Sequence, residues 1–394
     1  MKYRIHGGRL IAENGILEKD LLISEGKIEE IIGREALSSP DYRVIDASEL
    51  FVSAGFVDIH QHGGGGSDYM DGSPEDYVNA TEAHLRHGTT SVMPTLLSAG
   101  TDALLRAIKN YKLAKKDPRV RANLLGIHVE GPYISPEQAG AQKPEHIRAF
   151  DEAEYRAILK AADGNIKRWS VAPELEGAER FAKVAREEGF ALSIAHSNAD
   201  FDTVVRAFDM GYRHVTHLYS ATSSIVRRGG FRVAGVLEAA YFIDDMNVEI
   251  IADGCHLPLN LLAYVAKFKK TSTVALITDA MRAAGQNVSE SFLGSREDPL
   301  PVIVEDGVAK MVDKSGFAGS VATADRLVRN MVACGVSLPD AIRMMTVNPL
   351  KMMNLDVKKS ELKVGYDADI CIFNDDIQMQ KVLVDGKIVI GEKV

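Results

Sequence analysis

Phe51-Val-Ser-Ala-Gly-Phe-Val-Asp-Ile59 is an apolar run that leads directly into His60-Gln61-His62. In an extended chain alternate side chains face the same way, so residues 60 and 62 can present two imidazoles to one ion. Several later apolar runs also stop at a residue type that binds metals. They are Ile127-His-Val-Glu130, Ser193-Ile-Ala-His196, His214-Val-Thr-His217, Ile250-Ile-Ala-Asp253-Gly-Cys-His256 and Ala275-Leu-Ile-Thr-Asp279. Imidazoles and carboxylates at successive strand ends suit a hydrolytic metal centre, which makes a metal-dependent hydrolase the expected chemistry.

Working outward, apolar runs near 51–60, 90–97, 124–130, 169–173, 191–196, 213–219, 248–253 and 274–279 give eight candidate strands. Helical spacing follows most of them, over Pro74 to His87, Thr101 to Lys116, Glu176 to Glu188, Asp200 to Met210 and Leu257 to Lys269. The segment from Glu176 ends at Gly189, a residue suited to a helix C-terminal cap. Eight repeated strand–helix units predict a (β/α)8 TIM barrel, whose active sites lie where the strands end.

Both ends of the chain have a different texture. Leu21-Leu22-Ile23, Ser24-Glu25-Gly26 and Lys27 to Ile32 read as a hairpin. Asp369 to Phe373 and Lys381 to Ile390 are also strand-like. The expectation is a small β-sandwich domain built from both termini, residues 1–52 plus 354–394, around a barrel of residues 53–353. Pro299 to Gly316 reads as an insertion with a small hairpin.

The chain has 394 residues, 46% hydrophobic, enough for a large core. A formal charge of −9 and a pI near 5.7 argue against a nucleic-acid surface, while leaving room for a local anion site. Cys255, Cys334 and Cys371 are far apart with no CxxC, so neither a disulfide framework nor a thiolate zinc site is expected. No apolar run approaches the ~18 residues of a membrane span, and the N-terminus lacks a signal-peptide core. A soluble cytoplasmic protein is expected.

Most lone histidines are surface or core residues, and His6, His84, His87, His128, His146 and His214 are read that way. Glu130 precedes Gly131-Pro132, which should end its strand sharply. Asp279 could cap a helix, but a carboxylate beside a metal can take a proton from an attacking water and return it to a leaving amine. Gly63 to Gly66 lack a following GK[ST], so they read as backbone passing close to the metals rather than as a phosphate loop. Arg227, Arg228 and Arg232 form a basic cluster in an acidic chain and suggest an anion site.

Over essentially its whole length the chain resembles the amidohydrolase superfamily, and within it the N-acetylglucosamine-6-phosphate deacetylases. The resemblance is carried by Ala54 to Gly64, His128 to Pro132, Ala195-His196-Ser197, Thr216 to Tyr219, Ala252 to His256 and Thr278-Asp279-Ala280. Phe317-Ala318-Gly319-Ser320, Val347-Asn348-Pro349 and Val364 to Asp369 add to it.

The resemblance implies that Glu130, His196 and His217 bind a main metal, that His60 and His62 match the pair found in two-metal members, and that Asp279 is the catalytic acid/base. It implies one or two divalent transition ions per chain, zinc, iron, manganese or cobalt. It also implies that Ala141, Ser220, Ala221, His256 and the segment Phe317, Ala318, Gly319 line a sugar phosphate, with a phosphate-binding arginine among Arg227, Arg228 and Arg232, Arg228 being favoured. Two departures stand out. Ser220 replaces a usual asparagine, and Gln142 replaces a usual histidine while keeping a hydrogen-bond donor. The expected reaction is removal of the acetyl group from N-acetylglucosamine 6-phosphate, in a homodimer with no membrane or nucleic-acid partner. The alternatives are a deacetylase for N-acetylgalactosamine 6-phosphate, a cyclic-amide hydrolase, or a non-catalytic relative.

Overall fold

The structure, a computed structural model, describes residues 1–13, 15–37 and 39–391. The run quoted first is two strands rather than one. Phe51–Ala54 pairs with Ile370–Phe373 and with Arg9–Ala12, whereas Phe56–Gln61 enters the barrel. Gly55 makes the break possible, because a Cβ there would lie 2.2 Å from Thr90 Oγ1.

The barrel strands in chain order are β1 (Phe56–Gln61), β2 (Thr89–Leu96), β3 (Ile127–Glu130), β4 (Ile166–Val171), β5 (Ala191–Ile194), β6 (Tyr212–Val215), β7 (Asn247–Ile251) and β8 (Val274–Ile277). Each pairs in parallel with the next from β1 to β8. Strands rich in Val, Ile and Leu with both faces covered are what a parallel sheet demands. Helices on the outside include Pro74–Leu85, Thr101–Ala114, Glu152–Ala162, Ala178–Glu188, Phe201–Met210 and Leu259–Phe268. Ala178–Glu188 ends, as its sequence predicts, on Gly189 at φ 74°.

The seam between β8 and β1 is closed by side chains as well as backbone. Asp279 N donates to His60 O at 2.9 Å, and His62 N donates to Ala280 O at 2.9 Å. Below them the buried Asp58 accepts from the Thr278 hydroxyl, from Thr278 N and from Gln61 Nε2. Burial pushes the Asp58 carboxyl up to about 6, against the pull of those donors.

Both ends of the chain meet in two further sheets. One runs Lys27–Gly33, Lys19–Ser24, Tyr3–His6, Arg43–Asp46; the other runs Lys387–Ile390, Met379–Val384, Ile370–Phe373, Phe51–Ala54, Arg9–Ala12, Gly15–Leu17. Ile5, Leu21, Ile23, Val52, Ile370 and Leu383 form a core shared by the two sheets. The terminal sheet thus runs two residues past the expected boundary at residue 52, and residues 392–394 of that unit lie outside the described residues. The insertion is a three-stranded sheet of Glu290–Leu293, Leu300–Glu305 and Val308–Met311, larger than the expected hairpin.

Replacing Asp58 with Ala leaves Thr278 and Gln61 without their buried acceptor. We expect Asp58→Ala to lower the unfolding free energy by about 3 kcal/mol, and Asp58→Asn to cost clearly less. Urea unfolding checks this; equal stability of the wild type and Asp58→Ala would remove the seam from the account.

Candidate metal centre and active site

Six side chains converge at the strand ends. His60 and His62 come from the end of β1, Glu130 is the last residue of β3, and His196, His217 and Asp279 each lie two residues beyond β5, β6 and β8.

 In each the backbone is in the left-handed region, at 47° for His196, 30° for His217 and 48° for Asp279, which non-glycine residues rarely adopt and which clusters at functional sites.

Glu130 is the hub. Its Oε1 lies 2.9 Å from His217 Nε2, 3.3 Å from His196 Nε2 and 3.6 Å from His60 Nε2. Its Oε2 lies 3.4 Å from His62 Nε2 and accepts from Gln142 Nε2 at 3.0 Å. Asp279 Oδ1 lies 3.4 Å from His60 Nε2 and 3.1 Å from His62 Nε2. Two groups can hold an ion: His60, His62 and Asp279, and Glu130, His196 and His217.

The donor set fits a cation on its own chemistry. His196 Nδ1 is 2.8 Å from the Gln138 carbonyl oxygen and His217 Nδ1 is 3.1 Å from that of Ser220. A carbonyl only accepts, so both Nδ1 atoms carry hydrogen, and in the neutral rings the Nε2 lone pairs face a carboxylate. A cation between them converts that repulsion into coordination. His60 Nε2 is buried and has no hydrogen-bond partner, as expected of a ligand atom.

Without an ion, protons take over its role. Burial alone would pull His60 and His62 down, but the charges of Glu130 and Asp279 outweigh it and push them up to about 9 and about 10. Burial likewise opposes ionisation of Glu130, yet the surrounding imidazoles hold its carboxyl well below the ordinary range, and Asp279 is lowered by His60 and His62 in the same way.

The centre opens into a cavity of about 290 Å³. Ala141, Gln142, Ser220, Ala221, His256, Phe317 and Gly319 line it beside His62, Glu130, His196, His217 and Asp279. Ala318 is absent from the lining and is fully buried. Gly319 abuts the segment after β8 so closely that a Cβ would meet Asp279 O at 2.9 Å. Arg228 does not line the cavity: Val226–Arg228 and Phe231–Val233 form an exposed hairpin carrying all three arginines. Asp253 ends β7 without joining either metal group; it accepts from His256 N and His256 Nδ1, both at 2.8 Å, and so orients that ring. Gly63 and Gly64 are required by neighbouring chain rather than by the metal residues, since their Cβ atoms would lie 2.1 Å from Ser67 O and 2.7 Å from His84 Nε2. Leu97, Glu137, Gln138 and Leu293 also line the cavity and were not singled out by sequence; Gln138 acts through its carbonyl, which any residue could supply.

With this geometry in hand, comparison with known proteins is direct. The amidohydrolase family model matches residues 51–389. The chain belongs to this family. It is 30% identical over 387 residues to the N-acetylglucosamine-6-phosphate deacetylase of Bacillus subtilis (strain 168), covering 96% of this chain and 95% of that one. It is 28% identical to the N-acetylgalactosamine-6-phosphate deacetylase of Escherichia coli O157:H7, covering 98% and 99%. The solved N-acetylglucosamine-6-phosphate deacetylase from Pasteurella multocida superposes with a TM-score of 0.90 at 27% identity, covering 98% and 99%.

His60 and His62 are raised above the ordinary 6.5, so the folded metal-free chain holds protons that an unfolded chain would release. Their stabilising contribution is complete below about 6.5 and is lost as pH rises through about 9 to 10. Chelator-treated protein should therefore lose melting temperature between pH 7.5 and pH 10 more steeply than protein loaded with a divalent ion, which replaces the protons. Parallel melting curves against pH would remove His60 and His62 from the ligand set.

Proposed function

We propose that this amidohydrolase removes the acetyl group from N-acetylglucosamine 6-phosphate, giving acetate and glucosamine 6-phosphate. The observation that carries the reading is a single cavity lined by Glu130, His196, His217, His62 and Asp279 together with His256 and Phe317. Relatives that cover nearly the whole chain and bear the name of this reaction support it. The two metal groups support one or two divalent ions per chain, of zinc, iron, manganese or cobalt. Such an ion would polarise the amide carbonyl and acidify the attacking water.

The residues of the chain do the rest. The acetamide sits against Glu130 and Asp279, and the sugar extends towards His256 and Phe317, whose rings are 4.7 Å apart. Asp279 takes a proton as water attacks the carbonyl carbon, then gives it to the amine as the C–N bond breaks. Gln142, through its remaining N–H, supplies a hydrogen bond to the carbonyl oxygen as charge develops there.

Arg228 is proposed as the cationic contact to the 6-phosphate. From its exposed hairpin it reaches a phosphate only if the hairpin folds over the cavity mouth or a second copy brings it there. The hairpin adjoins exposed apolar side chains, Ile225, Phe231 and, on the following helix, Phe242, and these support a homodimer. A cytoplasmic location is proposed alongside; among the described residues no helix is long and apolar enough to cross a membrane. We also take the two terminal sheets, with their own buried core, as the small domain expected from the sequence.

The galacto epimer is the second reading, favoured by the similarity to the Escherichia coli enzyme named for it and by Ser220, which departs from the usual asparagine in the cavity wall. The epimers differ in the direction of one hydroxyl, which a hydrogen-bonding site discriminates strongly. Acetate release from both sugars decides: a preference above about tenfold, or ~1.4 kcal/mol, for the galacto sugar overturns the gluco assignment. On the better substrate, Asp279→Asn should keep cooperative melting while lowering kcat by roughly 10²-fold or more. Arg228→Ala should raise KM for the phosphorylated sugar and spare an unphosphorylated N-acetyl sugar; equal losses on both would end its phosphate role.

A further inference from the structure

A second polar layer lies inside the barrel, beneath the residues that hold the metal. Arg168 on β4 and Glu249 on β7 are fully buried there and form a two-pronged ion pair, with Arg168 NH2 2.7 Å from Glu249 Oε2. The same guanidinium nitrogen donates to Thr216 Oγ1 at 2.7 Å and to Ser193 Oγ at 3.1 Å. Barrel interiors are ordinarily filled by branched apolar side chains, and replacing a buried ion pair with apolar groups is often neutral or stabilising. Stability of the fold therefore gives no reason for the pair.

Its geometry gives one. Glu249 Oε2, the oxygen held by Arg168, also lies 3.5 Å from His60 Nδ1. The opposite ring nitrogen, His60 Nε2, is buried without a hydrogen-bond partner, 3.4 Å from Asp279 and 3.6 Å from Glu130. Backbone carbonyls set the tautomers of His196 and His217, but no carbonyl is paired with His60 among the described contacts, and Glu249 stands in that place. His128 packs edge-on against the His60 ring at 4.7 Å and is itself held between Thr95 and Ser170, so the ring is confined on that side too.

We propose that Glu249 is a positioning residue for His60: its carboxylate, anchored by Arg168, accepts from Nδ1–H and so directs Nε2 to the metal. The proposal rests on His60 being a ligand, and goes beyond that reading by assigning the residue that orients it. A carboxylate behind a ligating imidazole also makes the ring a better donor, and losing such a partner typically costs 10–100-fold in metal affinity.

Zinc affinity of the full-length protein, measured by competition with a chromophoric chelator, separates this role from a merely structural one. Glu249→Gln should weaken binding at the His60–His62–Asp279 group by about 10–100-fold. Arg168→Met, which keeps the carboxylate but removes its anchor, should melt earlier and weaken binding less than Glu249→Gln does. The double variant Arg168→Met, Glu249→Gln leaves no unpaired buried charge and should bind as weakly as Glu249→Gln, which keeps the test open should the single variant fold poorly. Unchanged affinity in the Glu249 variants, or an equal loss in Arg168→Met, overturns the proposal. Imidazole ¹⁵N shifts of the zinc-loaded wild type should show His60 metallated at Nε2 with hydrogen on Nδ1, and the reverse pattern also overturns it. A wild type that binds no zinc or other divalent ion would instead sink the metal reading on which the proposal stands.

Discussion

A single buried carboxylate, Glu130, ties the structure together. An isolated ionised carboxylate in a protein interior costs several kcal/mol unless it is paired and hydrogen-bonded. Glu130 meets that demand with imidazoles from β1 and from the segments after β5 and β6, and with the amide of Gln142. Four parts of the barrel rim are thereby fixed relative to one oxygen pair. The left-handed backbone at His196 and His217 accompanies the same demand, because each chain turns sharply off its strand to aim its ring at Glu130.

Beneath that rim the barrel interior is polar, strand by strand. Asp58 and Thr278 close the seam, Thr95 and Ser170 hold His128, and Arg168 joins Ser193, Thr216 and Glu249. Burial and the nearby positive charge of Arg168 push His128 well below its ordinary range, so it serves as a neutral spacer. Arg168 and Glu249 compensate one another in this layer, and Asp58 is satisfied by neutral donors. A purely apolar layer would supply no partner to the inner nitrogen of His60.

Much of this was legible in the sequence, and the reason is geometric. The candidate metal ligands follow apolar runs because barrel strands deliver them to one rim, so the pattern and the clustering appear together in the chain. His128 and Glu130 alternate onto the same face, yet a two-residue step along a strand is about 6.6 Å, which leaves His128 one layer down. Arg168 and Glu249 were missed because isolated charges within short runs resemble solvated residues. Their signal was position: each sits inside a strand whose neighbours are Ile166, Trp169, Val248 and Ile250, all buried. The break at Gly55 was invisible because residues 51–57 stay mostly apolar through a change of sheet. The arginine hairpin shows the opposite limit, since a cluster of charge in the sequence carries no information on which cavity, if any, its loop faces.

Gln142 illustrates how a departure in sequence becomes a change in chemistry. Its Oε1 accepts from Ser98 N at 3.0 Å, which orients the carboxamide so that its nitrogen faces Glu130 Oε2. One N–H is committed there, and the amide has a second. A histidine in this place would add a group that titrates near neutral pH, whereas the carboxamide donates equally at every pH. It also cannot hand over a proton as an imidazolium can. Ser220 makes the complementary point: His217 is held by the backbone carbonyl at that position, so exchange of the side chain leaves the ligand in place and alters only the cavity wall. The two departures therefore both face the cavity, but only Gln142 also touches Glu130, the carboxylate that organises the barrel rim.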